Sequence, residues 1–276
     1  MKKILLLPIL LYSFIASAQN ELSFSAGSGL LYYLGELNES KVFTNSAFLR
    51  PSANIGLSYK ALPYMNVNLQ FMGGSLYADD KYAITSNYYR NLQFKTSIEE
   101  FTLTAVFKPA RAKKAIPYLS IGAGMFWFNP KGLYGTEWVA LQPLGTEGQF
   151  INNGDYPKPY SLVQAVLPIG VGIEIKATDN IGFKFEAVFH KTFTDYLDDI
   201  SSTYADSVSL AKTANGRIAT AMAYKGISLA YPTDGAVRGN SGDKDSYVNI
   251  TFSLLIYLRG SNDNGSGKST FRFEPK

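Results

Sequence analysis

Two stretches of long, strict alternation between apolar and polar residues constrain the fold most. In SLVQAVLPIGVGIEIKA, residues 161–177, every second position is apolar over about 15 residues. The stretch IGFKFEAVFHKTF, residues 181–193, repeats the pattern after the short turn Thr178–Asn180. Successive side chains of a β-strand point to opposite faces, and ordinary strands have about five or six residues. The pattern therefore predicts unusually long antiparallel strands, each with one apolar face and one polar face.

Six further segments of similar pattern bring the predicted total to eight strands, and they cover residues 20–34, 49–60, 64–77, 92–108, 116–128 and 246–259. Three short connections (61–63, 109–115 and 177–179) alternate with four long ones (35–48, 78–91, 129–160 and 196–245). Short turns on one side and long loops on the other are typical of outer-membrane barrels. The predicted fold class is therefore all-β: an eight-stranded antiparallel transmembrane β-barrel with short periplasmic turns and four long extracellular loops.

A soluble β-sandwich or lipocalin-like barrel also has alternating strands, but its apolar face points inward and its turns recur about every 8–12 residues. The length of the predicted strands favours the membrane barrel. In the fourth segment, the apolar positions change parity near Glu99 and Glu100. This change indicates either a β-bulge or the point where the strand enters the bilayer.

The N-terminal residues have the features of a secretory signal peptide. Two lysines precede an apolar run, and the small residues Ala16-Ser17-Ala18 follow it. We predict three regions: a signal peptide at 1–18, the barrel at 19–259 and a flexible periplasmic tail at 260–276. The predicted localisation is the cell outer membrane.

The charge balance and the absence of cysteine exclude several functions. The chain has 26 basic and 22 acidic residues, and cleavage of the signal peptide removes Lys2 and Lys3, which leaves a net charge of about +2. This balance gives no reason to expect a nucleic-acid partner. Without cysteine there is no disulfide, thiolate zinc site or cysteine nucleophile. No motif indicates a cofactor, and we expect none.

Charged residues lie on the polar face of the predicted barrel. Glu174, Lys184, Glu186 and His190 are predicted to form a polar network in the lumen, where buried charges need partners. Side chains fill a barrel of eight strands, so a structural plug is favoured over a proton or ion path. His190 is the only histidine, and Thr192 occupies the position where a His-x-Ser motif needs serine. We therefore predict no catalytic residue and no enzymatic activity.

Four aspartates fall within TDYLDDISSTYAD, residues 194–206. Asp195, Asp198 and Asp199 are the candidates for a metal site, but the stretch lacks the D-x-[DN]-x-[DN]-G spacing of a calcium loop. Aspartates at the start of a loop also accept hydrogen bonds from backbone amides in Asx turns. The sequence favours this second role and predicts no bound metal.

This stretch and YYLGELN, residues 32–38, resemble two motifs of the PorG-like outer-membrane barrels of Bacteroidota, which are associated with the type IX secretion machinery. The matching positions are Tyr33, Leu34, Gly35, Glu36, Asp195, Tyr196, Leu197, Asp198 and Asp199. The family usually has aspartate at the position of Glu36. The resemblance implies a non-enzymatic structural or accessory component of an envelope complex, with secretion subunits as protein partners and outer-membrane lipid and lipopolysaccharide around it. The alternative is a narrow porin-like or ligand-binding barrel.

The two longest loops carry large aromatic residues. We expect these side chains either to anchor a protein partner, as interface aromatics often do, or to pack the loops over the barrel mouth. They are Trp138, Phe150, Tyr156, Tyr160, Tyr204, Tyr224 and Tyr231.

Overall fold

The computed structural model describes residues 22–38, 45–83, 85–109, 114–152, 155–226 and 230–258. The predicted signal peptide and the predicted tail lie outside the described residues. The barrel strands are β1 Leu22–Leu34, β2 Arg50–Leu62, β3 Met65–Asp79, β4 Gln93–Phe107, β5 Ala115–Phe128, β8 Val163–Lys176, β9 Ile181–Thr192 and β10 Ser246–Leu258. A hairpin in the third long loop consists of β6 Lys131–Tyr134 and β7 Glu137–Ala140.

The eight long strands close into a barrel. Each pairs antiparallel with its neighbours, and the first strand pairs with the last from Leu22–Leu258 to Leu34–Ser246. Closure leaves no unpaired strand edge, which a bilayer requires because lipid cannot hydrogen-bond to the backbone. The predicted fold class is confirmed. The hairpin of β6 and β7, which pairs with the outer end of β4, was not predicted because its strands have only four residues each.

The apolar faces of the strands point outward. At mid-strand, Leu103, Leu119 and Val171 are 57%, 61% and 55% exposed. A soluble barrel buries such residues, whereas a closed barrel with an outward apolar belt has the surface that a bilayer covers. The soluble alternative is therefore wrong, and the protein is a barrel of the cell outer membrane.

β4 keeps one register through its change of parity. Its pairing with β3 runs unbroken from Gln93–Asp79 to Phe107–Met65, so the expected β-bulge near Glu99 and Glu100 is wrong. Glu99 is exposed on the same face as Phe101. This point is where the strand leaves the apolar belt, which was the second interpretation.

The lumen has two layers. In the layer near the short turns, Lys184 Nζ lies 3.0 Å from Glu186 Oε2, and Lys108 Nζ lies 2.5 Å from Glu174 Oε2. The layer near the long loops is mostly apolar, and its inward side chains include Leu31, Met72, Leu76, Phe94, Ile98, Phe126 and Val166. A buried pair of Glu100 and His190 lies at the level of Met72 and Phe126. The alternation predicted a polar lumen along its whole length, and this prediction is wrong for the layer near the long loops. Loop residues Leu197 and Ile200 cover its outer end and exclude water from it.

The third and fourth long loops fold over the mouth as a cap, defined here as the described residues of 129–162 and 193–245. The cap contains two helices, α1 Ser207–Ala211 and α2 Gly216–Ala223. Its own apolar core consists of Leu141, Leu144, Leu210, Ala219, Met222 and Ala223. No helix of the described part of the chain is long and apolar enough to cross a membrane.

Candidate functional site

The two sequence motifs meet at the barrel mouth, where β1 ends and the fourth long loop begins. The Tyr33 hydroxyl lies 2.7 Å from Asp198 Oδ2 and 2.8 Å from Asp245 Oδ1, and all three side chains are buried. A phenol has one proton, so only one of these carboxylates accepts it, and the other contact needs a proton on the acid. Burial raises the pKa of Asp198 to about 7 and the pKa of Asp245 well above its usual range. Burial therefore favours a shared proton on this pair of acids.

A tight turn at Gly35 permits this contact. A Cβ atom at Gly35 would lie 1.9 Å from Asp245 Oδ1 and 2.0 Å from the Tyr33 hydroxyl, so a larger residue does not fit there. Asn38 closes the turn, because its side-chain amide donates to the Tyr33 carbonyl at 2.8 Å. The turn places Glu36 against the fourth loop, where the Asn240 N–H donates to Glu36 Oε1 at 3.3 Å.

The other motif residues anchor the fourth loop to the barrel. Leu34 is partly buried and Leu197 fully buried in the apolar layer of the lumen. The Leu197 N–H donates to Asp245 Oδ2 at 2.9 Å. The ring of Tyr196 stacks on that of Tyr160, with centroids 4.4 Å apart. These contacts are structural, and they fix the start of the loop over the mouth.

Four acids, Glu36, Asp195, Asp198 and Asp245, form what we call the carboxylate cluster. One oxygen each from Glu36, Asp195 and Asp245 lies within 4.8 Å of the other two. Among the described residues, both side-chain oxygens of Asp195 and Oε2 of Glu36 lack a hydrogen-bond partner. Burial raises the pKa of Asp195 to about 6. Burial, with the negative charge of Asp198 and Asp195, raises the pKa of Glu36 to about 8.

Asp199 faces away from this cluster. Its φ of +68° lies in the left-handed region, which aspartate adopts more readily than most residues. The hydroxyls of Thr146 and Tyr160 donate to its Oδ2 and Oδ1 at 2.5 and 2.7 Å. Burial raises the pKa of Asp199 to about 7, although Arg238 and these hydroxyls lower it. The three predicted metal candidates are therefore not brought together, because backbone geometry separates Asp199 from the other two.

Arg238 and Glu147 form a buried ion pair at the centre of the cap. Arg238 Nη1 lies 2.9 Å from Glu147 Oε1, and the same guanidinium donates to the Asp199 carbonyl. Glu147 also accepts the backbone N–H groups of Ser201 and Ser202 at 2.8 and 3.1 Å. The sequence analysis missed this pair, since neither residue lies in a motif and 91 positions separate them.

His190 lies inside the barrel. Its Nδ1 is 3.1 Å from Glu100 Oε2, its ring stacks on Tyr247 at 4.6 Å, and the Tyr247 hydroxyl donates to the same carboxylate. Thr192 donates its hydroxyl proton to the Asp245 carbonyl at 2.6 Å rather than to the imidazole. The arrangement joins three barrel strands through buried polar contacts.

No family model and no curated protein sequence matches the chain. Solved structures of similar fold include Ail, the attachment invasion locus protein of Yersinia pestis, in complex with the heparin analogue sucrose octasulfate (10% identity, 87% of this chain and 99% of that chain, TM-score 0.43). Neisserial surface protein A (9% identity, 87% and 97%, TM-score 0.38) and the outer membrane protein OprG from Pseudomonas aeruginosa (9% identity, 87% and 97%, TM-score 0.39) are also similar. At these identities the similarity concerns the fold alone.

Most of the loop aromatics are buried or partly buried. Tyr204, Tyr224 and Tyr231 form a triangle with ring centroids 5.8 to 5.9 Å apart. The Lys95 ammonium covers the ring of Trp138 at 4.3 Å, Tyr160 is buried, and Tyr156 is partly buried. Of the seven aromatics, only Phe150, at 47%, is exposed. Burial of Tyr160 and Tyr204 favours the packing role for these two rings, whereas anchoring of a partner by the partly exposed rings stays a prediction.

Proposed function

We propose that this barrel is a non-enzymatic structural or accessory component of an envelope complex and that the outer surface of its cap binds the partner. The sealed lumen is the observation that carries this proposal. The polar layer contains a cavity of about 20 Å³, and a pocket of about 140 Å³ lies at its short-turn end beside Lys108 and Glu174. The apolar layer and the cap close the other end. A barrel sealed in this way acts through its surfaces.

Conductance in planar bilayers tests the sealed lumen. The intact chain should pass almost no current, because no water-filled path crosses the apolar layer. The narrow porin-like alternative requires a steady conductance from the same preparation. Steady channels would therefore replace our proposal with that alternative.

The resemblance to PorG-like barrels makes the type IX secretion machinery the complex that we propose. The motif residues themselves are largely buried, so they shape the cap rather than contact the partner. Exposed apolar side chains of the loops are available for that contact, among them Tyr88, Tyr89, Phe150, Val208 and Val237. Large apolar side chains of this kind carry much of the binding energy at protein interfaces.

Complementation of a deletion strain tests this role. We expect reduced type IX cargo at the cell surface in the deletion strain and full rescue by the wild-type chain. The Tyr88→Ser/Tyr89→Ser, Phe150→Ser and Val237→Ser variants should insert normally and rescue less well. Tyr64→Ser, in a short turn and 52% exposed, is the matched control. Full cargo export in the deletion strain would remove the secretion role, and loss of rescue by Tyr64→Ser alone would move the partner surface to the periplasmic end.

A basic groove on the outer wall supports lipopolysaccharide as the lipid partner. Arg50, Lys95, Lys131 and Trp138 line a groove with a volume of about 360 Å³, and no acid is among its lining residues. Phe101 belongs to the apolar belt, and Lys95 lies about 20 Å from it along β4. We therefore place Lys95 at the level of the lipid head groups. The Lys95→Gln/Lys131→Gln variant should retain less lipopolysaccharide on purification. Lys212→Gln, on the exposed surface of the cap, should retain the wild-type amount.

A further inference from the structure

Three acids of the carboxylate cluster come from three separate places in the chain. Glu36 follows the end of β1, Asp195 lies at the start of the fourth long loop, and Asp245 lies at the end of that loop, directly before β10. Their oxygens nevertheless lie within 4.8 Å of one another. The fold therefore gathers three carboxyl groups at the seam where the first and last strands of the barrel meet.

Two of these three carboxylates have buried oxygens without a hydrogen-bond partner in the described part of the chain. Asp195 is 2% exposed, and both of its oxygens are without a hydrogen bond in the described structure, as is Oε2 of Glu36. Within the described ranges, no lysine or arginine forms an ion pair with these acids. The nearby Lys244 ammonium donates to the Ser241 carbonyl instead. A buried carboxylate without a partner costs free energy, and a bound cation would compensate this cost.

We propose that Glu36, Asp195 and Asp245 bind one divalent cation, of which Ca²⁺ fits best. The donor set consists of carboxylate oxygens alone, which are the ligands of hard cations. Calcium–oxygen distances are about 2.3–2.6 Å, so two oxygens on one ion lie at most about 5 Å apart. The observed separation of 4.8 Å or less is within this limit. Magnesium requires shorter distances and near-ideal octahedral geometry, which ligands from three separate segments supply less readily.

Tyr33 and Asp198 stabilise the arrangement of this site. The Tyr33 hydroxyl contacts Asp245 Oδ1, and the Leu197 N–H holds Asp245 Oδ2 at 2.9 Å, so the orientation of this ligand is set by its neighbours. The Ile200 N–H likewise holds Asp198 Oδ1 at 2.9 Å. A bound ion joins both ends of the fourth loop to the exit of β1. Calcium binding therefore stabilises the closed cap by linkage.

The test uses the full chain, folded in detergent micelles and freed of metal with EDTA. Isothermal titration with CaCl₂ should show one ion per chain, and hydrogen exchange of residues 194–201 should slow when Ca²⁺ is added. Asp195→Asn should weaken Ca²⁺ binding at least tenfold and remove the effect on exchange. This variant neutralises an unpartnered charge, so it should fold, as circular dichroism will check.

Asp179→Asn, in an exposed turn at the other end of the barrel, is the matched control and should bind Ca²⁺ as the wild type does. The absence of Ca²⁺ binding by the wild type, or equal binding by Asp195→Asn, would overturn the site. Tighter binding of MgCl₂ than of CaCl₂ would overturn the choice of ion. These outcomes do not depend on whether the barrel takes part in secretion.

Discussion

Removal of Arg238 tests whether one buried cation holds the cap together. Arg238→Met leaves Glu147 and Asp199 buried without the guanidinium that lies 2.9 Å and 3.8 Å from them. Breaking a buried ion pair from one side costs roughly 3–5 kcal/mol, because a charge stays behind without compensation. The barrel strands do not contain these residues, so the cost falls on closure of the cap. An energy of this size corresponds to an increase of about 100-fold or more in opening of the cap.

Hydrogen exchange measured by mass spectrometry reads this opening directly. The Ser201 and Ser202 amides, which donate to Glu147, should lose about two orders of magnitude of protection, while amides of β8 and β9 keep theirs. Arg217→Met changes an exposed arginine of the same cap and should have little effect. The Arg238→Met/Glu147→Gln double variant should recover part of the protection, because it also neutralises a stranded acid. Equal exchange in the Arg238→Met and Arg217→Met variants would refute the reasoning.

Three further predictions concern the membrane, the pH response and the topology. Ile169→Arg places a charge on the lipid face and should lower the free energy of unfolding by roughly 2–4 kcal/mol, measured by urea titration of the vesicle-inserted barrel. Asn68→Arg, which faces the lumen, should lower it less. Equal losses would contradict the assigned faces. Burial raises the pKa values of Asp198 and Asp199 from 3.8 to about 7, so the native cap binds protons more tightly than the unfolded chain. In EDTA, the free energy of cap opening should therefore fall as pH rises from about 4 to 7, and a rise over this range would contradict the shifts. Single cysteines at Asp155 and Asp234 should react with an impermeant thiol reagent on intact cells, and one at Asp179 should not; reaction at position 179 alone would invert the topology.

The barrel could be predicted because its signal is local. A membrane strand has lipid on one side and the lumen on the other, so the alternation of residues 163–176 and 181–192 records both environments within one segment. The lengths of the connections then indicated which side has the long loops. The same local signal did not reveal the apolar layer of the lumen, since inward residues such as Phe94 and Ile98 are apolar only because the cap keeps water from them.

The cap depended on tertiary structure. Aspartates 195, 198 and 199 are neighbours in the sequence, yet the left-handed backbone at Asp199 sends its side chain to Arg238 while the other two join Glu36 and Asp245. No local pattern indicates the contact of Tyr33 with Asp245, which are 212 positions apart. The sequence by itself determined the strands, their faces and the membrane that surrounds them. The tertiary structure, in which the first and last strands pair, determined that Glu36, Asp195 and Asp245 lie together. It also determined that Asp199 lies beside Arg238.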